Sequence, residues 1–203
     1  MLTEAEVERI GFASVGRNVR ISPDARFYGA AKIRIGNHVR IDDFSVISAG
    51  DGGIDIGDFV HIAVYCSVIG RANVTLEDFS GLSSRVSIYT SNDDYSGSAL
   101  TNPTIPDMYR RVKHGPVHLG KHVIVGSGSI ILPGVALAEG VAVGAMSVIR
   151  RDCEAFGVYA GNPAKKLKNR RRDLLALEEK LMDALLGDST RAGSDHKSPV
   201  TGS

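Results

Sequence analysis

Tryptophan is absent from the chain, cysteine occurs twice, and aromatic residues make up only 6% of its 203 residues. Two cysteines, Cys66 and Cys153, are too few for a disulfide framework or a cysteine-built metal site. With so few rings, the core must be filled by Val, Ile, Leu and Ala. The chain also lacks an excess of either charge, since 24 Lys and Arg stand against 23 Asp and Glu. No global field draws in nucleic acid or an anionic membrane, so any basic site is local. No run approaches the roughly 18 apolar residues of a membrane-spanning helix, and membrane insertion is not expected. The first residues, Met1 to Arg9, are acidic and helix-like where a secretory signal is basic and apolar, so a cytoplasmic location is expected. What is abundant is glycine, 23 residues, within a chain that is 43% hydrophobic. That composition suits one compact domain, or a repeat array with a tail, and excludes a disordered or collagen-like chain.

The repeat is present, with a period of six. Leu119, Val125, Ile131, Leu137, Val143 and Ile149 follow one another at that spacing, and Gly120, Gly126, Ala138 and Gly144 come directly after four of them. The same phase runs through Ile35, Ile41 and Ile47, then Ile56, Ile62 and Val68, then Leu76, Leu82 and Ile88. Four residues beyond these aliphatics the slot is small or β-branched: Val39, Ser45, Val60, Cys66, Val123, Ser129, Val135 and Val141. An antiparallel sandwich supplies alternation with period two, but not this joint rule. Each hexad reads as a short strand and a tight corner, its aliphatic pointing inward and its glycine supplying conformation or clearance. Cys66 and Cys153 fall in the small inward slot and read as core residues.

With these hexads the chain resembles the left-handed β-helix, or hexapeptide-repeat, acyltransferases. The resemblance covers nearly everything except the last 35 residues or so. It implies an all-β fold, a left-handed parallel β-helix of about six or seven coils stacked as parallel strands. The expected organisation is a short N-terminal helix within 1–14, the β-helix over 15–169 with a long loop at 90–116, a C-terminal helix over 170–187, and a disordered tail over 188–203. Thr3 and Glu6 form a capping-box pattern for a helix ending at Ile10. Asp173 to Leu186 carries leucines at helical spacing and is expected to cap the coil or pack on a neighbouring subunit. The loop's Tyr95, Ile105, Met108 and Tyr109 argue that it is ordered and functional.

The resemblance further implies a homotrimer with sites between subunits and acetyl-CoA as co-substrate. The segment Gly144-Ala145-Met146-Ser147, Arg150-Arg151-Asp152 and Tyr159 to Lys165 is similar to the coenzyme-binding end of sugar O-acetyltransferases. By that likeness the backbone at Ser127 and Ala145 bonds the pantetheine arm, and Arg150, Arg151, Lys165 and Lys168 lie near its phosphates. Basic groups are what an anionic coenzyme needs. Where galactoside and maltose acetyltransferases place a histidine base, this chain has Asn92, Asp93 or Asp94. A hydroxyl acceptor benefits from a base more than a free amine does, so the departure favours N-acylation.

The loop from Ser91 to Gly97 and from Thr101 to Pro106 resembles that of acyltransferases acting on nucleotide-linked 4-amino-4,6-dideoxyglucose for bacterial surface polysaccharide. Asp93 and Asp94 are the candidates to hold the amine and accept its proton, with His114 at the loop base as the other proton acceptor. His114, His118 and His122 have a helical metal-ligand spacing, but they lie on strand and corner, and no metal is expected. His38 and His61 read as solvated outward residues. The readings left beside N-acylation are O-acetylation of a sugar hydroxyl, a γ-type carbonic anhydrase, and a non-catalytic solenoid.

Overall fold

The structure, a computed structural model, describes residues 1–192, with side chains through 186. The expected tail over 193–203 lies outside the described residues, whereas 188–192 continue the C-terminal helix. The chain divides into residues 1–170 and a second unit from Arg171.

In the first unit the short strands form three parallel faces of a solenoid. On the first face Ile35, Ile56, Leu76, Leu119 and Leu137 are in register; on the second, Ile41, Ile62, Leu82, Val125 and Val143; on the third, Ile47, Val68, Ile88, Ile131 and Ile149. Every one of these fifteen side chains is at most 4% exposed. The small slots are buried with them, including Ser45 and Ser129. Ser45 Oγ donates to the Ala63 carbonyl at 2.9 Å and Ser129 Oγ to that of Gly144 at 3.0 Å, which satisfies a hydroxyl inside an apolar tube. The hexad period therefore is the core, and the solenoid has the architecture expected of a left-handed β-helix.

Two features of the corners differ from expectation. The glycines after the inward aliphatics serve clearance. A Cβ on Gly126 would lie 2.5 Å from Ala145 N, and one on Gly120 2.9 Å from Glu139 N. The left-handed corner positions, by contrast, are mostly not glycine. Asn18, His38, Phe59, Phe79, His122 and Phe156 have φ between 54° and 61° at one corner, and Phe44, Tyr65, Arg85 and Met146 between 58° and 63° at the other. Such a φ costs an L-residue roughly 1–2 kcal/mol. Here neighbouring coils offset it by stacking: His38 on Phe59 at 4.6 Å, Phe59 on Phe79 at 4.8 Å and Phe79 on His122 at 5.1 Å between ring centroids. The scarce rings thus stand largely outside the tube in ladders, and His38 belongs to one of them.

The start of the solenoid carries helix α1, Glu4–Ile10, with the expected capping box from Thr3 and Glu6 and a left-handed Gly11 after it. At the other end Gly157–Gly161 continues the second face, and Ala164–Asn169 turns back antiparallel on it, a hairpin the hexad pattern does not foresee. In the second unit, helix α2 runs Asp173–Ala192, beginning and ending later than the expected 170–187. Leu177, Leu181, Met182 and Leu186 are exposed along it.

Candidate active site

The long loop leaves the third face after Ser87–Tyr89 and returns to the first at Val117–Leu119. It is closed at its base by an antiparallel pair, Ser91–Asn92 with Lys113–His114. Ser91 Oγ and His114 Nδ1 are 2.8 Å apart. The loop is held mainly by polar contacts, since Tyr95 is 88% and Met108 81% exposed.

Under the loop lies a cavity of about 660 Å³, lined among others by Arg71, Tyr89, Asn92, Asp93, Arg110 and His114. Three of the four expected catalytic residues, Asn92, Asp93 and His114, therefore meet there. Asp94 does not line the cavity. Its carboxylate accepts the backbone N–H of Ser96 at 3.0 Å and of Ser98 at 3.1 Å, and the Ser98 hydroxyl at 2.7 Å. The Ser96 and Ser98 contacts hold its pKa well below the usual carboxylate range, which makes it a loop-forming anion and a poor proton acceptor. Asp93, half-buried at the cavity wall, has no hydrogen bond or ion pair among the described residues. Arg110 pairs with Asp107, while its buried Nε has no partner among the described residues. Arg71 is fixed by Asp51, Nε to Oδ2 3.0 Å.

A second feature lies along the corner between the second and third faces. At the opposite corner, three N–H groups just before left-handed positions are met by a side chain of the following coil: Arg17 by Asn37 at 2.9 Å, Asn37 by Asp58 at 2.7 Å, Asp58 by Asp78 at 2.7 Å. At this corner the corresponding residues are Val64, Ser84, Ser127 and Ala145. Their carbonyls are used where a further coil follows, the Val64, Ser84 and Ser127 oxygens accepting from Arg85, Gly128 and Met146 at 3.0, 3.0 and 2.9 Å. Their N–H groups have no partner among the described residues. The result is a column of unmet donors, one per coil, suited to the carbonyls of an extended amide chain. Ser127 and Ala145 are the two members the sequence indicated; Ser84, whose neighbours give no sign of it in sequence, is a third.

Arg150, Arg151 and Lys165 gather at a pocket at the hairpin end, with Lys166. Lys166 is engaged by Glu154 at 2.8 Å. Lys168 is exposed on Ala164–Asn169 and does not line that pocket. The three spaced histidines have separate settings: His114 faces Ser91, His118 Nε2 lies 3.1 Å from Glu77 Oε1, and His122 stacks on Phe79. Among the described residues no group of three His, Cys, Asp or Glu side chains is arranged to hold a metal. No described helix is long and apolar enough to cross a membrane. Cys66 and Cys153 are buried, and burial pushes both thiols up to about 11, the state of inert core residues.

A stacked tube with a loop cavity, a column of open N–H donors and a terminal basic pocket suits a solenoid transferase that takes a long amide-bearing anionic donor. Comparison with known proteins agrees with this class. The chain is 54% identical over 188 residues to the dTDP-4-amino-4,6-dideoxy-D-glucose acyltransferase of Escherichia coli, covering 93% of this chain and 98% of the relative. The structure superposes on AntD, an N-acyltransferase from Bacillus cereus solved with dTDP and 3-hydroxybutyryl-CoA, with TM-score 0.86 and 43% identity over 91% of this chain and 97% of the other. A maltose O-acetyltransferase from Clostridium difficile 630 shares the fold, with TM-score 0.58 and 23% identity, covering 84% and 80% of the two chains. No family model matches the chain. The chain belongs to the hexapeptide-repeat sugar acyltransferases, in the group of dTDP-4-amino-4,6-dideoxyglucose acyltransferases. It is an acyl-CoA-dependent enzyme.

Proposed function

We propose that the protein transfers an acyl group, acetyl in the first instance, from coenzyme A to the amine of a nucleotide-linked amino-dideoxy sugar destined for surface polysaccharide such as lipopolysaccharide O-antigen. The observation that carries this reading is Asp93, a carboxylate without a partner among the described residues, at a cavity that also presents Arg71 and Arg110. A carboxylate suits an amino group, and guanidinium groups suit a diphosphate. The Escherichia coli and Bacillus cereus relatives, which carry dTDP-sugar names or ligands, make dTDP-4-amino-4,6-dideoxyglucose the first acceptor to try. The pantetheine arm runs along the N–H groups of Ala145, Ser127 and Ser84, with its phosphates toward Arg150, Arg151 and Lys165. Lys168, outside that pocket, has the weaker claim to them.

The working unit in this reading is a homotrimer, in which the loop cavity of one copy meets the donor column of the next. The exposed Tyr95 and Met108 on the loop, and Phe44, Tyr65 and Met146 along the corner, are the apolar groups such contacts cover. In this reading the enzyme works in the cytoplasm, where coenzyme A thioesters and nucleotide-linked sugars would meet. O-acetylation of a sugar hydroxyl is the second reading; it requires His114 as base, and His114 does face the cavity.

The test is release of free CoA across a panel of nucleotide-linked amino sugars and simple glycosides. Turnover of the amino sugars alone is expected, and turnover of the glycosides alone contradicts the reading. Asp93→Asn is expected to lower kcat/KM for the amino acceptor by about 10- to 100-fold, the worth of one hydrogen bond to a charged group.

A further inference from the structure

An ion pair in the groove beside the donor column has no part in the mechanism so far. The groove, about 440 Å³, is lined among others by His61, Ser80, Ser84, Ile124 and Ser127. His61 is on the strand His61–Ile62 of the second face, and its Nε2 lies 2.8 Å from Asp42 Oδ2. The Asp42 side chain is only 11% exposed, and its other oxygen accepts Arg40 Nε at 2.7 Å. An ionised carboxylate on Nε2 keeps the proton there, so that in the neutral ring Nδ1 carries the lone pair. Nδ1 has no partner among the described residues, and the ring is half exposed at the groove. Ser80, whose carbonyl accepts the His61 N–H at 3.3 Å, turns its own hydroxyl into the tube, where it has no partner among the described residues. The wall therefore holds an oriented base.

Its place along the groove matters as much as its chemistry. Coils repeat about every 4.8 Å. Ala145, Ser127, Ser84 and Val64 occupy successive coils, which makes the donor column about 14 Å long. An acyl-CoA arm anchored by its phosphates beyond Ala145 extends toward Ser84 and Val64, and so brings its thioester to the coil that carries His61.

We propose that His61, held in place by Asp42, carries the proton in acyl transfer. This rests on the function proposed above. The amine nitrogen attacks the thioester carbon, the N–C bond forms and the C–S bond breaks. The proton leaving nitrogen passes to Nδ1 and from there to the departing thiolate sulfur, so the ring ends as it began. Asp93 in this scheme anchors the amine, and Asp42 is a positioning residue. The charged groups facing His61 are Asp42 and Arg40 on the side of Arg40–Ile41; Gly81–Leu82 on the other side presents none.

The test uses the full-length protein with acetyl-CoA and the nucleotide-linked amino sugar that it acylates best. His61→Gln is expected to lower kcat about 100-fold, within the usual range for a general acid-base, with KM for both substrates within threefold. The shape of the kcat–pH profile should differ from that of the unsubstituted protein. Asp42→Asn should give a smaller loss, and the double variant should be no worse than His61→Gln alone. His61→Asn is measured in parallel, and equal melting temperatures separate chemistry from folding. A kcat within threefold in both His61 variants, a loss confined to KM, or additive losses in the double variant overturns the assignment. If the unsubstituted protein acylates no amino sugar at all, the underlying reading fails and this one with it.

Discussion

Single residues in this chain are set by which side of a narrow tube they occupy. Cys66 and Cys153 are inside, with thiols pushed up to about 11. An aromatic disulfide reagent at pH 8 should therefore label neither in the folded protein and both after unfolding. Asp42 shows the opposite balance. Burial by itself raises its pKa, but the hydrogen bonds from His61 and Arg40 outweigh that and hold it below the ordinary value. Because the folded-state pKa is depressed, its contribution to stability is complete above the ordinary carboxylate value near 4 and is lost as pH falls through the depressed one. The melting temperature of Asp42→Asn should accordingly drop less between pH 7 and pH 3 than that of the unsubstituted protein. The inward aliphatics were readable because burial repeats their type every six residues. The His61–Asp42 pair was not, since its partners are nineteen residues apart and meet only through the offset between coils.

At the scale of the element, the coil is a unit that cannot change size. Leu82→Ala leaves a cavity between the in-register Ile62 and Val125 and should cost about 2–5 kcal/mol in chemical unfolding. Gly126→Ala drives a Cβ into the backbone of the next coil at Ala145; the expected loss is about 1–3 kcal/mol, as for overpacking elsewhere. The corners were the hard part of the sequence. Rings, charged residues and small residues mix at both, and nothing in their identity says that Asn37, Asp58 and Asp78 cap N–H groups at one corner while those of Ser84, Ser127 and Ala145 stay open at the other. Asp93 and Asp94, adjacent and identical in type, likewise divide their roles only when the loop closes: one faces the cavity and the other ties down Ser96 and Ser98.

For the whole molecule, a near-zero net charge conceals local order, with basic groups at the hairpin end and a mixed site under the loop. The chemistry follows from what these regions lack as much as from what they hold. No histidine occupies Asn92 to Asp94 under the loop, so the one base proposed at the groove, His61, serves an acceptor that arrives as an amine and needs less activation than a hydroxyl. The most direct test is a matched pair of dTDP-linked 6-deoxyglucose acceptors, one with an amine and the other with a hydroxyl at carbon 4, each assayed with acetyl-CoA and the product identified by mass. The account predicts an amide from the amino acceptor and no ester from the hydroxyl one; ester formation at a comparable rate would contradict it.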